Sequence, residues 1–263
     1  MHIGLEKPIS EVVPSIFKRP LLFVGPSDSL LQAATFLAIG PQIYVDGLVV
    51  LEDTKAVGAI GGRHVIEYIL YHQDSWRHGT ASSVMSQLQT PVRGNDALQV
   101  ALDVFKKTGF AFVPITIEEK VVTSLSLRDL LKPVAASRLD KTVEGLSSTP
   151  ISAGSDTSIG SALEIMLEQN VRNLIVKDND RTTILNDRKI LEFLLSHEGA
   201  SALTSRHSKG LFEIKVGALD LLAAKHIKRD TSVSTAAELL TDLNTPCLLV
   251  DDSIVTPWDI IMK

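Results

Sequence analysis

Residues 110–129 read FAFVPITIEEKVVTSLSLRD. Two short apolar runs, at residues 110–117 and 121–125, are separated by polar residues, and this pattern predicts a β-hairpin. The hairpin leads directly into Ser126-Leu127-Arg128-Asp129, in which a serine precedes an apolar helical pattern as a helix N-cap does. The stretch therefore predicts a pair of strands that runs straight into a short helix.

The same order of features occurs four times along the chain. A short apolar strand is followed by a turn rich in Pro, Ser and Asp, an amphipathic helix, two apolar strands and a second helix. The junctions between the last strand and the final helix fall at residues 61–64, 126–129, 186–189 and 256–259, with spacings of 65, 60 and 70 residues. A unit of this length predicts a small α+β domain repeated in series.

We predict four repeats, grouped into two modules that divide near Ala135. The repeats are expected at residues 9–72, 81–133, 142–196 and 213–263, and the modules at 1–134 and 135–263. Apolar residues at helical spacing predict the first helix of each repeat. These helices are expected at residues 30–37, 97–107, 159–168 and 233–243.

Composition narrows the class of protein. With 263 residues, 44% hydrophobic and 22% charged, the chain predicts an ordinary globular protein. No apolar run is long enough for a membrane span, the N-terminus lacks a secretory signal, and the single cysteine, Cys247, cannot form an internal disulfide. These features predict a cytoplasmic protein. A net charge of −5 disfavours nucleic acid as a partner.

Signatures of catalysis are missing from the sequence. The seven histidines are scattered, without the spacing of metal ligands, and the glycines of residues 57–62 do not match a dinucleotide fingerprint. No nucleophile with a base and an orienting group can be nominated. We therefore expect no metal, no catalytic cofactor and no enzymatic activity.

The repeated turn, helix, hairpin and Ser/Thr-x-x-Asp helix start resemble the CBS domain, named after cystathionine β-synthase. Residues 20–30, PLLFVGPSDSL, are also similar to a repeat of the γ subunit of the AMP-activated protein kinase. The resemblance covers about residues 9–263. It implies an α+β fold of four tandem CBS repeats, each a short β-sheet with helices on one face. The repeats would pair into two pseudo-twofold modules, called Bateman modules.

The resemblance also implies a ligand. CBS pairs bind AMP, ADP, ATP, S-adenosylmethionine or related molecules in clefts between the repeats. Each Ser/Thr-x-x-Asp element would present its Asp to the ribose hydroxyls. Two elements are complete, with Ser126 and Asp129 in the second repeat and Thr256 and Asp259 in the fourth. The other two end in His64 and Lys189, so we expect one competent cleft per module.

Further binding residues follow from the same resemblance. For the cleft of Asp129, the base pocket is expected to contain Leu21, Leu22, Val45 and Asp46, with Arg63 on the phosphates. For the cleft of Asp259, the corresponding residues are Pro150, Ile151, Val171 and Arg172, with Arg188 in the phosphate role. Because Asp46 opposes a polyphosphate and two arginines favour one, the Asp259 cleft is expected to bind ATP more tightly.

Simpler interpretations exist. Ser/Thr-x-x-Asp is also a helix N-cap with an acidic residue in the first turn, and the arginines could be solvated. The expected function is a regulator that reports adenine-nucleotide or adenosyl-ligand occupancy to a partner protein. The alternatives are a ligand-independent interaction scaffold and a nucleic-acid-binding CBS protein. The identity of the partner and homodimer formation are left open by the sequence.

Overall fold

The computed structural model describes residues 4–40, 46–88, 92–139, 141–178, 181–204 and 210–263. The α-helices are α1 Ile9–Val12, α2 Leu30–Ile39, α3 Gly62–His72, α4 Leu98–Thr108, α5 Leu127–Ala136, α6 Ile159–Glu168, α7 Asp187–Leu195, α8 His197–Thr204, α9 Gly210–Glu213, α10 Val233–Leu240 and α11 Pro257–Met262. Short 3-10 helices lie at Pro14–Lys18, Gln73–His78, Ala81–Ser83 and Val216–Ala218.

The strands form four small sheets. They are β1 Phe23–Val24, β2 Leu48–Glu52, β3 Lys55–Ile60, β4 Ser86–Gln87, β5 Val92–Arg93, β6 Phe112–Ile117, β7 Lys120–Ser126, β8 Ser152–Gly154, β9 Asn173–Asp178, β10 Arg181–Asn186, β11 Leu222–Ala223, β12 Lys225–Ile227, β13 Leu248–Val250 and β14 Ser253–Val255.

One topology recurs in the four sheets. The first strand of each repeat pairs parallel with the second, and the second pairs antiparallel with the third in a hairpin. A parallel pair requires a crossover, and in each repeat the first amphipathic helix makes it. The predicted α+β fold of four repeats is therefore confirmed.

Side-chain caps explain where the crossover helices begin. Ser29, Ser158 and Ser232 each accept the backbone N–H three residues later, at 3.2, 3.1 and 3.0 Å. Helix α6 has the predicted bounds. Helix α10 ends at Leu240 rather than at residue 243, because Asp242 accepts the N–H of Asn244 at 3.1 Å and turns the chain.

The sheets join repeats within a module. Between repeats one and two, Val49, Ala59 and Phe112 are buried together, and Phe112 lies so close to Gly47 that a Cβ atom there would overlap the ring. Between repeats three and four, Ile175, Ile184, Leu222, Cys247, Leu249 and Ile254 form the corresponding core. Burial raises the pKa of the Cys247 thiol to about 12.

The helices join the two modules. Helices α2 and α3 of repeat one share a core with α6 and α7 of repeat three, and α5 of repeat two shares one with α10 and α11 of repeat four. Each repeat therefore contacts one neighbour through its sheet and another through its helices. This arrangement closes the four repeats around a common centre.

Candidate functional site

The site begins at the four junctions where a hairpin ends and a helix starts. The third helical residue at these junctions, which we call the N3 residue, is His64, Asp129, Lys189 or Asp259. In three of them the N3 side chain accepts the backbone N–H of the N-cap residue. The distances are 2.9 Å for His64, 2.8 Å for Asp129 and 2.8 Å for Asp259. These three residues therefore do cap their helices, as the simpler interpretation of the motif expects.

Each N3 residue also faces the chain that leads into the partner repeat. Strand β4, which precedes the first strand β5 of repeat two, pairs with β3 of repeat one, and β11, which precedes the first strand β12 of repeat four, pairs with β10 of repeat three. On the other sides, the Thr123 hydroxyl donates to the carbonyl of Ile16 at 2.8 Å, and Ser148 bridges to Ile254. We call the stretch that precedes the first strand of each repeat its lead-in segment. Each lead-in segment packs against the partner repeat, so the two repeats of a module exchange these segments. The exchange brings residues that are distant in sequence to the N3 side chains.

Arg19 occupies this position opposite Asp129. Its two terminal nitrogens donate to Oδ1 and Oδ2 of Asp129, both at 2.7 Å, and one of them also donates to the carbonyl of Ser124. The Arg19 and Asp129 side chains are only 13% and 7% exposed. Burial raises the pKa of Asp129, while the bonds from Arg19 act in the opposite direction. The carboxylate expected to bind ribose therefore already holds a forked cation.

Asp259 has a different set of partners. Its Oδ2 accepts the backbone N–H of Thr256 at 2.8 Å and the Thr256 hydroxyl at 2.7 Å. Its Oδ1 accepts the Ser148 hydroxyl at 2.7 Å and contacts Nζ of Lys263 at 2.8 Å. The Asp259 side chain is 4% exposed, whereas that of Lys263 is 40% exposed. One oxygen of this carboxylate is thus held by a short hydroxyl and a lysine that reaches solvent.

The two junctions without a carboxylate hold other pairs. Because Nδ1 of His64 accepts the N–H of Gly61, the ring proton lies on Nε2, which donates to the Ser86 hydroxyl at 2.9 Å. Burial lowers the pKa of His64, so the neutral ring is favoured. Lys189 instead forms ion pairs with Asp220 at 2.9 Å and Glu192 at 3.0 Å.

A second feature, which we call the central cluster, lies where the repeats meet. It consists of Asp46, Arg128, Arg172, Asp187 and Arg188. Arg172 contacts Asp187 at 2.9 Å and Asp46 at 3.7 Å, and Arg128 contacts the same Asp46 oxygen at 3.7 Å. Arg188 also forms an ion pair with Glu192 at 3.4 Å, so the three guanidinium groups face three carboxylates and their charges balance.

The central cluster also reaches the fourth repeat. The Arg128 guanidinium donates to the carbonyl of Leu240 at 3.1 Å, and that of Arg188 donates to Asn244 at 3.2 Å. Burial lowers the pKa of Arg128, and the nearby Asp46 raises it. A small pocket opens here, lined by Leu37, Asp46, Gly62, Arg172, Asp187, Arg188 and Leu191.

Some of the charged residues expected in the binding clefts lie in the central cluster, and others lie elsewhere. Arg172 and Arg188 lie in the central cluster, and Asp46 lies there with them, although these residues were expected in two different clefts. Arg63 lies elsewhere and donates to Asn170 and to the carbonyl of Leu167 at 3.3 Å. The predicted role of Val45 falls outside the described residues.

The expected apolar walls are placed as follows. Leu21 packs into the sheet interface of the first module, and Leu22 packs against the helical core of repeats one and three. Ile151 and Val171 are half-buried against that same helical core, and Pro150 is also half-buried. The walls assigned to each cleft therefore retain apolar surface that is open in part.

Sequence reasoning missed the residues that face the N3 side chains across the interface. Arg19 and Ser148 lie just before Pro20 and Thr149-Pro150, which open repeats one and three. A polar residue immediately before the strand of an odd repeat was the available signal. Asp187 and Arg128 were also missed as members of one cluster, because their juxtaposition depends on how the modules dock.

Comparison with known proteins agrees with the fold described above. The family model of the CBS domain matches residues 143–195. Protein MJ1225 of Methanocaldococcus jannaschii, proposed to be an archaeal homolog of g-AMPK, is similar in structure with a TM-score of 0.80 and 14% identity, covering 93% of this chain and 96% of that one. An uncharacterized conserved protein of Pyrococcus horikoshii has a TM-score of 0.56 and 17% identity, over 83% and 91%.

Residues 143–195 thus match the CBS domain, and the chain as a whole has the fold of four tandem CBS repeats in two modules. Its layout is similar to that of the archaeal g-AMPK relative, and the predicted resemblance is confirmed. No curated protein matches the sequence. Within the described ranges, no helix is both long enough and apolar enough to cross a membrane, and no three His, Cys, Asp or Glu side chains are grouped as a metal site.

Proposed function

We propose that this protein is a non-catalytic regulator that binds an adenine nucleotide, or an adenosyl ligand such as S-adenosylmethionine, in the cleft of Asp259. The observation that carries the proposal is the set of partners on Oδ1 of Asp259. This oxygen accepts from the Ser148 hydroxyl and from the partly exposed Lys263. The vicinal hydroxyls of a ribose are donors of the same kind and can take the place of Lys263.

The exchange requires Lys263 to leave Asp259, and its side chain is 40% exposed, although its ammonium also donates to the carbonyl of Leu146 and to the Ser148 hydroxyl, each at 2.9 Å. Because this side chain reaches solvent, water can replace the hydrogen bonds that the lysine ammonium gives up. A ribose gains two hydrogen bonds to a buried carboxylate, which are stronger than bonds between neutral groups. Asp259 itself stays in position because the Thr256 backbone and hydroxyl hold its other oxygen.

The surroundings suit the rest of an adenine nucleotide. Pro150, Ile151 and Val171 supply half-buried apolar surface for a base. The guanidinium groups of Arg172 and Arg188 have the forked donors that suit phosphate, and Arg188 already bonds to Asn244 in the fourth repeat. We assign the phosphate role to Arg172, whose side chain is 44% exposed, together with Arg188.

Regulation follows from how the repeats are connected. A ligand between repeats three and four would contact both sides of the second module's sheet interface and change how these repeats pack. The helical cores connect that module to the first. A ligand shifts the arrangement only by the difference between its affinities for the two states. The shift would be read by a partner protein or by a second copy of the chain.

A panel of ligands tests this function. In ligand-free protein, AMP, ADP, ATP and S-adenosylmethionine are added singly and the melting temperature is measured, with GTP as the control. A ligand present at about 100 times its dissociation constant stabilises the native state by about 2.7 kcal/mol. We expect at least one adenine compound to raise the melting temperature more than GTP does. No response to any of them would refute the proposal.

One observation favours the scaffold as a second candidate. All four N3 residues have partners within the chain, so the clefts are satisfied without a ligand. A scaffold requires only that these contacts hold the repeats in place. It predicts that the ligand-free protein melts cooperatively and that none of the adenine compounds alters its melting.

A further inference from the structure

The two complete Ser/Thr-x-x-Asp elements differ in what faces them. Opposite Asp259 is Ser148, whose short hydroxyl reaches one carboxylate oxygen. Opposite Asp129 is Arg19, whose long forked side chain reaches both. Both residues belong to the lead-in segment of the partner repeat, so they hold equivalent positions in the two modules. The modules are therefore alike in backbone and unlike in the occupant of the cleft.

We propose that Arg19 is an internal occupant that closes the Asp129 cleft, so that the chain binds one nucleotide rather than two. The inference rests on the proposed function, because it concerns which of the two carboxylates a ribose can reach. Arg19 takes the place that the two ribose hydroxyls would need, since its paired nitrogens face the two carboxylate oxygens at 2.7 Å.

Burial makes this occupant difficult to displace. Both cations also bind a backbone carbonyl, that of Leu146 for Lys263 and that of Ser124 for Arg19. The difference is exposure, because the Lys263 side chain is 40% exposed and reaches solvent, whereas that of Arg19 is 13% exposed. A ribose that displaced Arg19 would leave a guanidinium without a carboxylate in a largely buried place, which is unfavourable. The Arg19–Asp129 ion pair thus fills the first cleft and stabilises the fold there, and Asp259 remains as the carboxylate that a ligand can reach.

The test counts ligand equivalents by calorimetric titration with AMP and, separately, with S-adenosylmethionine. We expect wild type to bind one equivalent and Arg19→Ala to bind two. Asp259→Asn should bind at least tenfold more weakly than wild type. Arg19→Ala combined with Asp259→Asn should regain one equivalent, and adding Asp129→Asn should remove it.

Arg19→Lys provides a second test in case Arg19→Ala does not fold. A lysine keeps the positive charge beside Asp129 but offers a single ammonium in place of a fork. We proposed that ribose hydroxyls displace Lys263 from Asp259, and a lysine at position 19 should be displaced from Asp129 in the same way. This variant should therefore melt cooperatively and bind a second equivalent of ligand. If Arg19→Ala does not melt cooperatively, Arg19→Lys decides the count.

The outcomes separate this inference from the proposed function. One equivalent in wild type and still one in well-folded Arg19→Ala and Arg19→Lys overturns the role of Arg19 and leaves the function standing. Two equivalents in wild type overturn the closure of the cleft and also leave the function standing. No binding of either compound by any variant overturns both.

Discussion

The carboxylate of Asp46, in the first repeat, lies 3.7 Å from the guanidinium of Arg172 in the third. The same oxygen lies 3.7 Å from Arg128 in the second repeat. One buried carboxylate therefore connects three repeats, and Arg128 extends the connection to the carbonyl of Leu240 in the fourth. The centre of the molecule is held by charge as well as by apolar packing.

Asp46→Asn should destabilise the protein. The substitution removes the negative charge that faces the buried Arg128, and breaking a buried ion pair from one side costs about 3 kcal/mol or somewhat more. Urea unfolding followed by circular dichroism measures the loss. Asp252→Asn, on an exposed turn, is the matched control and should change stability by less than about 0.5 kcal/mol. Equal stability of the two variants would show that Asp46 does not hold the repeats together.

Gly47→Ala tests the contact between the sheets of repeats one and two. A methyl group at this position would overlap the ring of Phe112, which is buried in the interface. Overpacking of this kind costs about 1–3 kcal/mol. Gly25→Ala is the control, because its Cβ would meet Asp28 at an ordinary 3.7 Å. Differential scanning calorimetry should show a clearly lower melting temperature for Gly47→Ala alone.

His64 should make stability depend on pH. Burial lowers its pKa in the folded state below the ordinary value of 6.5, and the nearby charges of Glu67 and Arg63 act in opposite directions. The unfolded chain then binds the proton more readily, so the contribution of His64 is complete above pH 6.5 and is lost as the pH falls. His64→Gln keeps a side chain suited to the third position of a capping box but does not titrate.

The free energy of unfolding at pH 7.5 and at pH 5.5 provides the measurement. Wild type should lose more stability between these values than His64→Gln does, by about 1.4 kcal/mol for each unit by which the pKa is lowered within that window. An identical loss in both proteins would mean that the imidazole titrates alike in the folded and unfolded states.

Local elements could be predicted from the sequence. Helix α6 has the predicted bounds, and α7 and α11 begin directly after the hairpins, as expected. These features depend on residues that are neighbours in the chain, such as Ser158 capping α6 or Pro257 opening α11. The residue boundaries of the repeats and modules stay predictions.

The partners of the site residues could not be predicted, because they depend on how the repeats dock. The position of Arg19 before the first strand of an odd repeat is a local signal, but it does not identify Asp129 as the partner, and nothing local to Asp46 indicates that it faces Arg172. Both contacts follow from the exchange of lead-in segments and from the helical cores that join the modules. Sequence patterns give the faces of helices and strands but not the register between distant repeats.

The affinity of Asp259→Asn for AMP and S-adenosylmethionine, measured by calorimetric titration, tests the central claim most directly. Asn offers one acceptor oxygen and no charge, so the ribose bonds should weaken by about 1.5–3 kcal/mol, a loss of about tenfold to more than a hundredfold in affinity. The ligand-free variant should also lose about 1–3 kcal/mol of stability, because the amide nitrogen replaces a buried oxygen that accepts hydrogen bonds, so the affinity and not the melting temperature decides between the two roles. Asp252→Asn should bind as wild type does. Wild-type affinity in Asp259→Asn, together with a lower melting temperature, would contradict the account and make Asp259 a helix cap alone.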